Sequence, residues 1–237
     1  MAFGVYHQAA DLSFLFVPKL IEGLSYIDIL YRPVYIFWMI SRQTQKGKDA
    51  RDKILAAAAH LFQQLGYAAT SIRLIISTSG QPKGSLYFHF PGGKQEMALA
   101  AATQSSAFII ALIDDIFITA PNTLTAITSI CGAFTQQLKA SGYRDGCPIS
   151  PLATSATNET SPLRQSCASS YDQWLSAIKA GLKSHGIAEA RSASLASLVL
   201  SSVEGAVLLS QVRHNTEALD LLPASLAPLL ENDGSQR

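Results

Sequence analysis

Glycine and proline punctuate residues 50–94 at Gly66, Gly80, Pro82 and Pro91-Gly92-Gly93, dividing a helical pattern into three short pieces. The first piece, residues 50–66, carries apolar residues at 54, 55, 58, 61, 62 and 65, one face at helical spacing. Gly66 is placed to end it. Thr70 or Ser71 can cap a second helix containing Ile72, Ile75 and Ile76, which stops at Ser79-Gly80. Pro82 sits where a first helical turn accepts proline and opens a third helix through about His89.

The helical pattern continues beyond this unit. The spacing predicts helices over about 94–118 and 122–140, a loop at 141–148, and helices over 149–157, 161–184, 188–213 and 216–231. No stretch alternates β-branched residues as a strand would, so the expected fold class is all-α. A chain of 237 residues suits one large domain or two small ones. Its 48% hydrophobic content excludes a mainly disordered chain.

Three short helices with a glycine-containing turn between the second and third form the plan of a helix-turn-helix. In that plan the second helix crosses the DNA backbone, and the first residues of the third reach base edges in the major groove. Gly80 suits the turn because glycine accepts positive φ. Lys83 and Ser85 fall on the first turn of the third helix, facing the groove. Thr70 and Ser71, at a helix N-terminus whose free N–H groups attract anions, can hold phosphate. Charge agrees with this: residues 41–94 hold eight basic and two acidic side chains, whereas residues 95–237 carry a net −4. A basic segment beside a mildly acidic one suggests a polyanion-binding module attached to something else, although a solvated helix face can be equally basic.

Residues 54–94 resemble the TetR family of transcriptional regulators. The matching runs are Leu61-Phe62, Leu65-Gly66-Tyr67, Ala69-Thr70-Ser71-Ile72-Arg73 and the unbroken stretch from Ser79 to Lys94. The Pro82-Lys83-Gly84-Ser85-Leu86-Tyr87 core with Phe90-Pro91-Gly92-Gly93-Lys94 is most similar to the LmrA and YxaF type branch. Gly146-Cys147-Pro148-Ile149 is similar to a Gly-Cys-Pro element of that branch. The resemblance implies that Tyr87 and Lys94 clamp phosphates of double-stranded operator DNA together with Thr70 and Ser71. Gln81, Pro82, Lys83, Gly84, Ser85 and His89 would then lie at the base edges. Leu86, Phe88 and Phe90 read as core and joint residues. Leu74, Ile76 and Ser77 depart from the family pattern, and the bulk of Ile76 predicts overpacking worth about 1–3 kcal/mol.

By the same resemblance, residues 95–237 form an antiparallel helical domain for ligand binding and dimerisation, and 46–94 form the DNA-binding domain. Helix 188–213 has an apolar face of Ala193, Ala196, Leu200, Val203 and Val207; helix 216–231 adds Leu219, Leu222, Leu226 and Leu230. Those helices can pair with their copies in a four-helix homodimer interface, or serve as internal core. Phe108, Leu112, Phe134, Leu138, Trp174 and Ile178 are the candidate lining of a pocket for a small apolar or aromatic inducer, or else plain core. The whole reads as a cytoplasmic one-component repressor, with a helical interaction protein carrying a degenerate DNA head as the alternative.

Enzyme chemistry finds little support. His60 lies inside the first helix, His185 at a helix end, and Cys147 before a proline, with no spacing that makes Cys147 and His185 a pair. Asp114 and Asp115 point to different parts of a helix surface. No Gly-x-x-x-x-Gly-Lys cradle and no Cys-x-x-Cys zinc pair exist, so the reading includes no metal and no cofactor. Three cysteines, at 131, 147 and 167, fit a reducing cytosol.

Residues 1–45 stand apart as an apolar extension without a consistent period. Its longest apolar runs fall short of the roughly 20 residues of a membrane span, and it makes a poor signal peptide. Met39 opens a basic stretch, so either translation starts there or the extension is native and packs on the body or a partner.

Overall fold

A computed structural model describes residues 50–155 and 161–230. The extension 1–45 and Met39 lie outside the described residues, so those expectations meet no structure. Nine α-helices, and no strand, occur among the described residues: α1 Ala50–Ala69, α2 Ile72–Ser79, α3 Lys83–His89, α4 Gly93–Thr119, α5 Thr123–Ala140, α6 Ser150–Ser155, α7 Pro162–Ser184, α8 Glu189–Arg213 and α9 Glu217–Leu226.

The first three helices form a small bundle set by local signals. At Gly66 the backbone of α1 leaves helical geometry, at φ 73° and ψ 177°, so the helix kinks where the sequence places its end. Ser71 caps α2, its Oγ accepting the Leu74 N–H at 3.1 Å. Gly80 closes α2 in the left-handed region at φ 64° and donates its N–H to the Ile76 carbonyl at 3.1 Å. Pro82 is extended and serves as the N-cap of α3, one residue earlier than its expected place in the first turn. Ile54, Ala58, Phe62, Ile75, Leu86 and Phe90 are fully buried and join the three helices. Leu65 turns out to be half exposed, because the kink carries the end of α1 off its buried face. Leu74 and Ile76 are only partly buried at the edge of the core, and Ile75 takes the fully buried position, so the bulk of Ile76 does not press between the helices as expected.

The long helix α4 links this head to the body. It packs on α1 at its start and on α7 along its length; α7 packs on α8, and α9 lies against both α5 and α8. Gly181 lets α4 and α7 approach closely, since a β-carbon there would lie 2.2 Å from the Phe117 ring. The Trp174 indole N–H ties the same two helices, donating to Ser106 Oγ at 3.1 Å. Helices α4 and α8 are long and apolar enough to cross a membrane by length and composition alone, yet each packs one side into this body. The expected helix 216–231 is shorter: it carries Pro223, ends at Leu226 and tightens into a 3-10 turn, Ala227–Leu229, that contains Pro228.

Candidate nucleic-acid interface

Helix α3 has a buried side, Leu86 and Phe90, and an opposite side that faces outward. On that outer side stand Lys83, Gly84, Tyr87 and Phe88, which recur at the one- and four-residue steps of one helical stripe. Gly84 has open space where a β-carbon would be, so another backbone can come close there. Lys83 Nζ lies 5.9 Å from the Tyr87 ring centre, placing the ammonium and the phenol together on this stripe. Gln81, Ser85 and His89 are partly exposed along its border, and Pro82 is exposed at its start.

Two expected phosphate contacts read differently in the structure. Thr70 is fully buried and its hydroxyl donates to the Gly66 carbonyl at 2.8 Å, so it secures the α1 kink and presents nothing to solvent. The neighbouring Ser71 is exposed, and its hydroxyl proton remains for an outside acceptor while its oxygen caps α2. Lys94 spends two of its N–H donors indoors, on the carbonyls of Tyr67 at 2.7 Å and Thr70 at 2.8 Å. Burial lowers the pKa of its ammonium, and one donor remains for a phosphate. Phe88, expected in the core, is 80% exposed. The reason is register: Leu86 in the seven-residue helix and Phe90 at its C-cap take the inward positions, and Phe88 lies between them.

In the body, a small cavity of about 30 Å³ sits among α4, α5, α7 and α8. Leu112 from α4, Phe134 from α5, and Trp174 and Ile178 from α7 line it, as do Val199, Leu200, Val203 and Glu204 from α8. Two residues expected in the lining are elsewhere. Leu138 is fully buried in the core, and Phe108 packs against the core without reaching the cavity. Among the described residues Glu204 is the one ionisable side chain in the wall. Burial raises its carboxyl pKa, and the buried thiol of Cys147 beside it pulls the other way. The Tyr171 hydroxyl lies 3.8 Å from the same sulfur, and its ring meets Trp174 edge-on at 5.2 Å. Burial and the Glu204 carboxylate push the Cys147 thiol well above its usual pKa, so it stays protonated and unreactive. His185 bonds the Phe117 carbonyl at 2.9 Å, while the Cys147 sulfur lies 3.8 Å from the Tyr171 hydroxyl, so His185 and Cys147 do not pair.

The apolar face expected on α8 for pairing is turned inward: Ala196, Val203 and Val207 are buried, as are Leu219, Leu226 and Leu230 near the chain end. The outward side of α8 is a second apolar stripe, Leu198, Leu208, Leu209 and Val212, broken by Ser201 and Gly205. Leu221 of α9 is exposed as well.

Residues 54–101 match the model of bacterial regulatory proteins of the tetR family. Residues 123–224 match that of the transcriptional regulator LmrA/YxaF-like C-terminal domain. The chain belongs to the TetR family of transcriptional regulators. This TetR-family chain is 33% identical over 183 residues to the HTH-type transcriptional regulator LmrA of Bacillus subtilis (strain 168), spanning 77% of itself and 97% of that protein. It is 32% identical to the uncharacterized regulator YxaF of the same organism, over 81% of this chain and all of the other. A TetR transcriptional regulator from Legionella pneumophila has the same fold, with a TM-score of 0.68 at 21% identity over 79% of this chain and 100% of that one. The TetR-family chain is therefore a DNA-binding transcriptional regulator, from a family of regulators and not of enzymes.

Sequence reasoning about this TetR-family regulator placed Phe88 in the core and did not single out Glu204. A signal for Glu204 existed: it is the lone charge in the apolar run 195–209.

Proposed function

We propose that this regulator is a cytoplasmic homodimeric repressor that a small apolar or aromatic molecule releases from operator DNA. The observation that carries the reading is the outward stripe of α3. A cation, a phenol, an open glycine and an aromatic ring stand together on the helix that a helix-turn-helix inserts into the major groove. Residues 46–94 serve as the reading head and 95–237 as the ligand and dimer domain, with 1–45 an extension outside both. Lys83, Gln81 and Ser85 read base edges, and Gly84 and Pro82 let the helix approach closely. Tyr87, Ser71 and the spare donor of Lys94 hold phosphates. His89 sits at the border of this set. Phe88 joins it by packing on a thymine methyl group, a contact that apolar side chains make in the major groove.

Two heads must match successive major grooves, which requires a dimer. The outward stripe of Leu198, Leu208, Leu209 and Val212 supports pairing of α8 and α9 with their copies, around Gly205 where nothing obstructs close approach. The inducer enters among Leu112, Phe134, Trp174 and Ile178. The cavity there is far below the roughly 300–1,000 Å³ of a drug-sized site. Binding must therefore push the walls apart, and a ligand that favours the expanded body shifts the dimer toward heads that no longer match the DNA.

The test is binding of the full chain to DNA fragments flanking its own gene at several salt concentrations. Specific binding with affinity falling steeply as salt rises is expected for a protein that neutralises several phosphates. Absence of any salt-dependent binding to those fragments, or to a random-sequence DNA pool, would overturn the reading.

A further inference from the structure

We propose that the segment Asp145-Gly146-Cys147 is the element that carries ligand occupancy to the DNA head, with Glu204 at its sensing end and Gln63 and Gln64 at its output end. The proposal rests on the ligand-responsive reading above and specifies how that site is coupled.

The segment lies in the loop between α5 and α6, gripped from both sides. On the cavity side, Glu204 lines the wall beside the Cys147 thiol, and the Tyr171 hydroxyl, 3.8 Å from that sulfur, links it to Trp174 of the same wall, whose ring the Tyr171 ring meets edge-on at 5.2 Å. On the head side, Gln63 Nε2 donates to the Gly146 carbonyl at 2.7 Å. Gln64 Nε2 donates to Asp145 Oδ1 at 2.6 Å, and this carboxylate belongs to a residue only 4% exposed. Both glutamines come from α1 just before its kink. Ligand wall and reading head therefore touch the same three consecutive residues.

The loop also has little slack. A β-carbon on Gly146 would lie 2.5 Å from Gln211 of α8, so the backbone is pressed against the helix that carries Glu204. Gln137 Nε2 donates to the carbonyls of both Asp145 and Gly146 at 2.8 Å. Beyond the loop, α6 sits on the kink itself, since a β-carbon on Gly66 would lie 3.0 Å from Ser155 Oγ and 3.3 Å from the Pro151 carbonyl. When a ligand moves the α8 wall, the loop must follow Cys147. Either α1 follows too, or the Gly146 carbonyl keeps only Gln137 and the buried Asp145 carboxylate loses its Gln64 donor. Leaving a buried acceptor unpaired is costly, so the head moves.

The test is a double-mutant cycle in the full chain, using Glu204→Leu, Gln63→Ala and the double variant, with two readouts. For DNA affinity, independent sites multiply within about twofold, so a departure larger than twofold is expected and a product within twofold overturns the relay. For hydrogen exchange without DNA or ligand, Glu204→Leu should speed the amides of residues 63–69 by about threefold or more. Faster exchange confined to α8 overturns the relay. Cys147→Ser substitutes for Glu204→Leu if the latter does not fold, with the same expectations. Because exchange needs no DNA, a chain that binds none but shows the α1 response refutes the DNA reading and leaves the relay standing.

Discussion

The ammonium of Lys94 sits 4.3 Å from the centre of the Tyr67 ring and 2.7 Å from that residue's own carbonyl oxygen. One side chain at the start of α4 thus ties to the backbone beyond the Gly66 kink of α1, joining the head to the helix that leads into the body. Lys94→Met keeps the stem and removes the donors. It should cost about 1–3 kcal/mol, the usual loss for charged hydrogen bonds, and weaken binding to all DNA sequences by a similar factor. Urea denaturation beside DNA titrations checks both. A change of sequence preference without loss of stability would show that Lys94 acts on bases.

Phe88→Ala should leave stability within about 0.5 kcal/mol, since the ring is 80% exposed. Its effect belongs to DNA. Replacing operator thymines by uracils removes one methyl group each, worth about 0.8 kcal/mol or roughly fourfold for a packed contact. At one position this replacement should weaken the wild type and leave the variant unaffected. Equal losses in both proteins would place Phe88 off the bases.

These two residues also mark how far the sequence could be read. Caps such as Ser71 and Gly80 are local, and a local signal suffices to place them. Thr70 and Ser71 are adjacent hydroxyls with equal claims to a phosphate, and only the kink at Gly66 decides which one faces inward. Phe88 lies in a helix too short to show a period, so hydrophobicity alone put it in the core. Helix α8 is apolar on both sides, and periodicity there cannot say which side is the interior. Leu112, Phe134, Trp174 and Ile178 line a cavity while Phe108 and Leu138 do not, because helical spacing gives a residue's face and not what lies opposite it. Glu204 required knowing that α8 runs past the loop of Cys147.

Pairing through α8 predicts a specific failure. Val212 is 74% exposed and Leu209 51%, so the pair Leu209→Glu and Val212→Glu should leave helix content intact while producing a monomer in light scattering. Losing the second head should reduce operator affinity on the order of a hundredfold or more. A variant that remains dimeric would move the interface elsewhere.

Glu204 sets a pH signature. Its carboxyl pKa is raised above 4.5 by burial, so the folded protein holds that proton more tightly than the unfolded chain. The resulting stability is present below about pH 4.5 and is lost as pH rises through the raised value. Cys147 and Tyr171, both shifted upward, do not titrate in that window. Glu204→Gln removes the term, so the variant should gain on the wild type in urea midpoint as pH rises toward neutrality. Parallel profiles would show that Glu204 is not desolvated in solution.

Under the ligand-responsive function proposed above, the near-absence of free space in the cavity bears on how such a sensor would be retuned. A preformed hollow selects molecules by outline, and changing its preference means recarving a shape. A wall that must be forced apart selects instead by how much opening a molecule can drive, so stiffness becomes the heritable variable. Trimming Phe134 or Leu112 by a few carbons would lower that threshold for every candidate at once, trading discrimination for sensitivity. A lineage, or an engineer building a reporter, would therefore be expected to adjust response level before chemical preference.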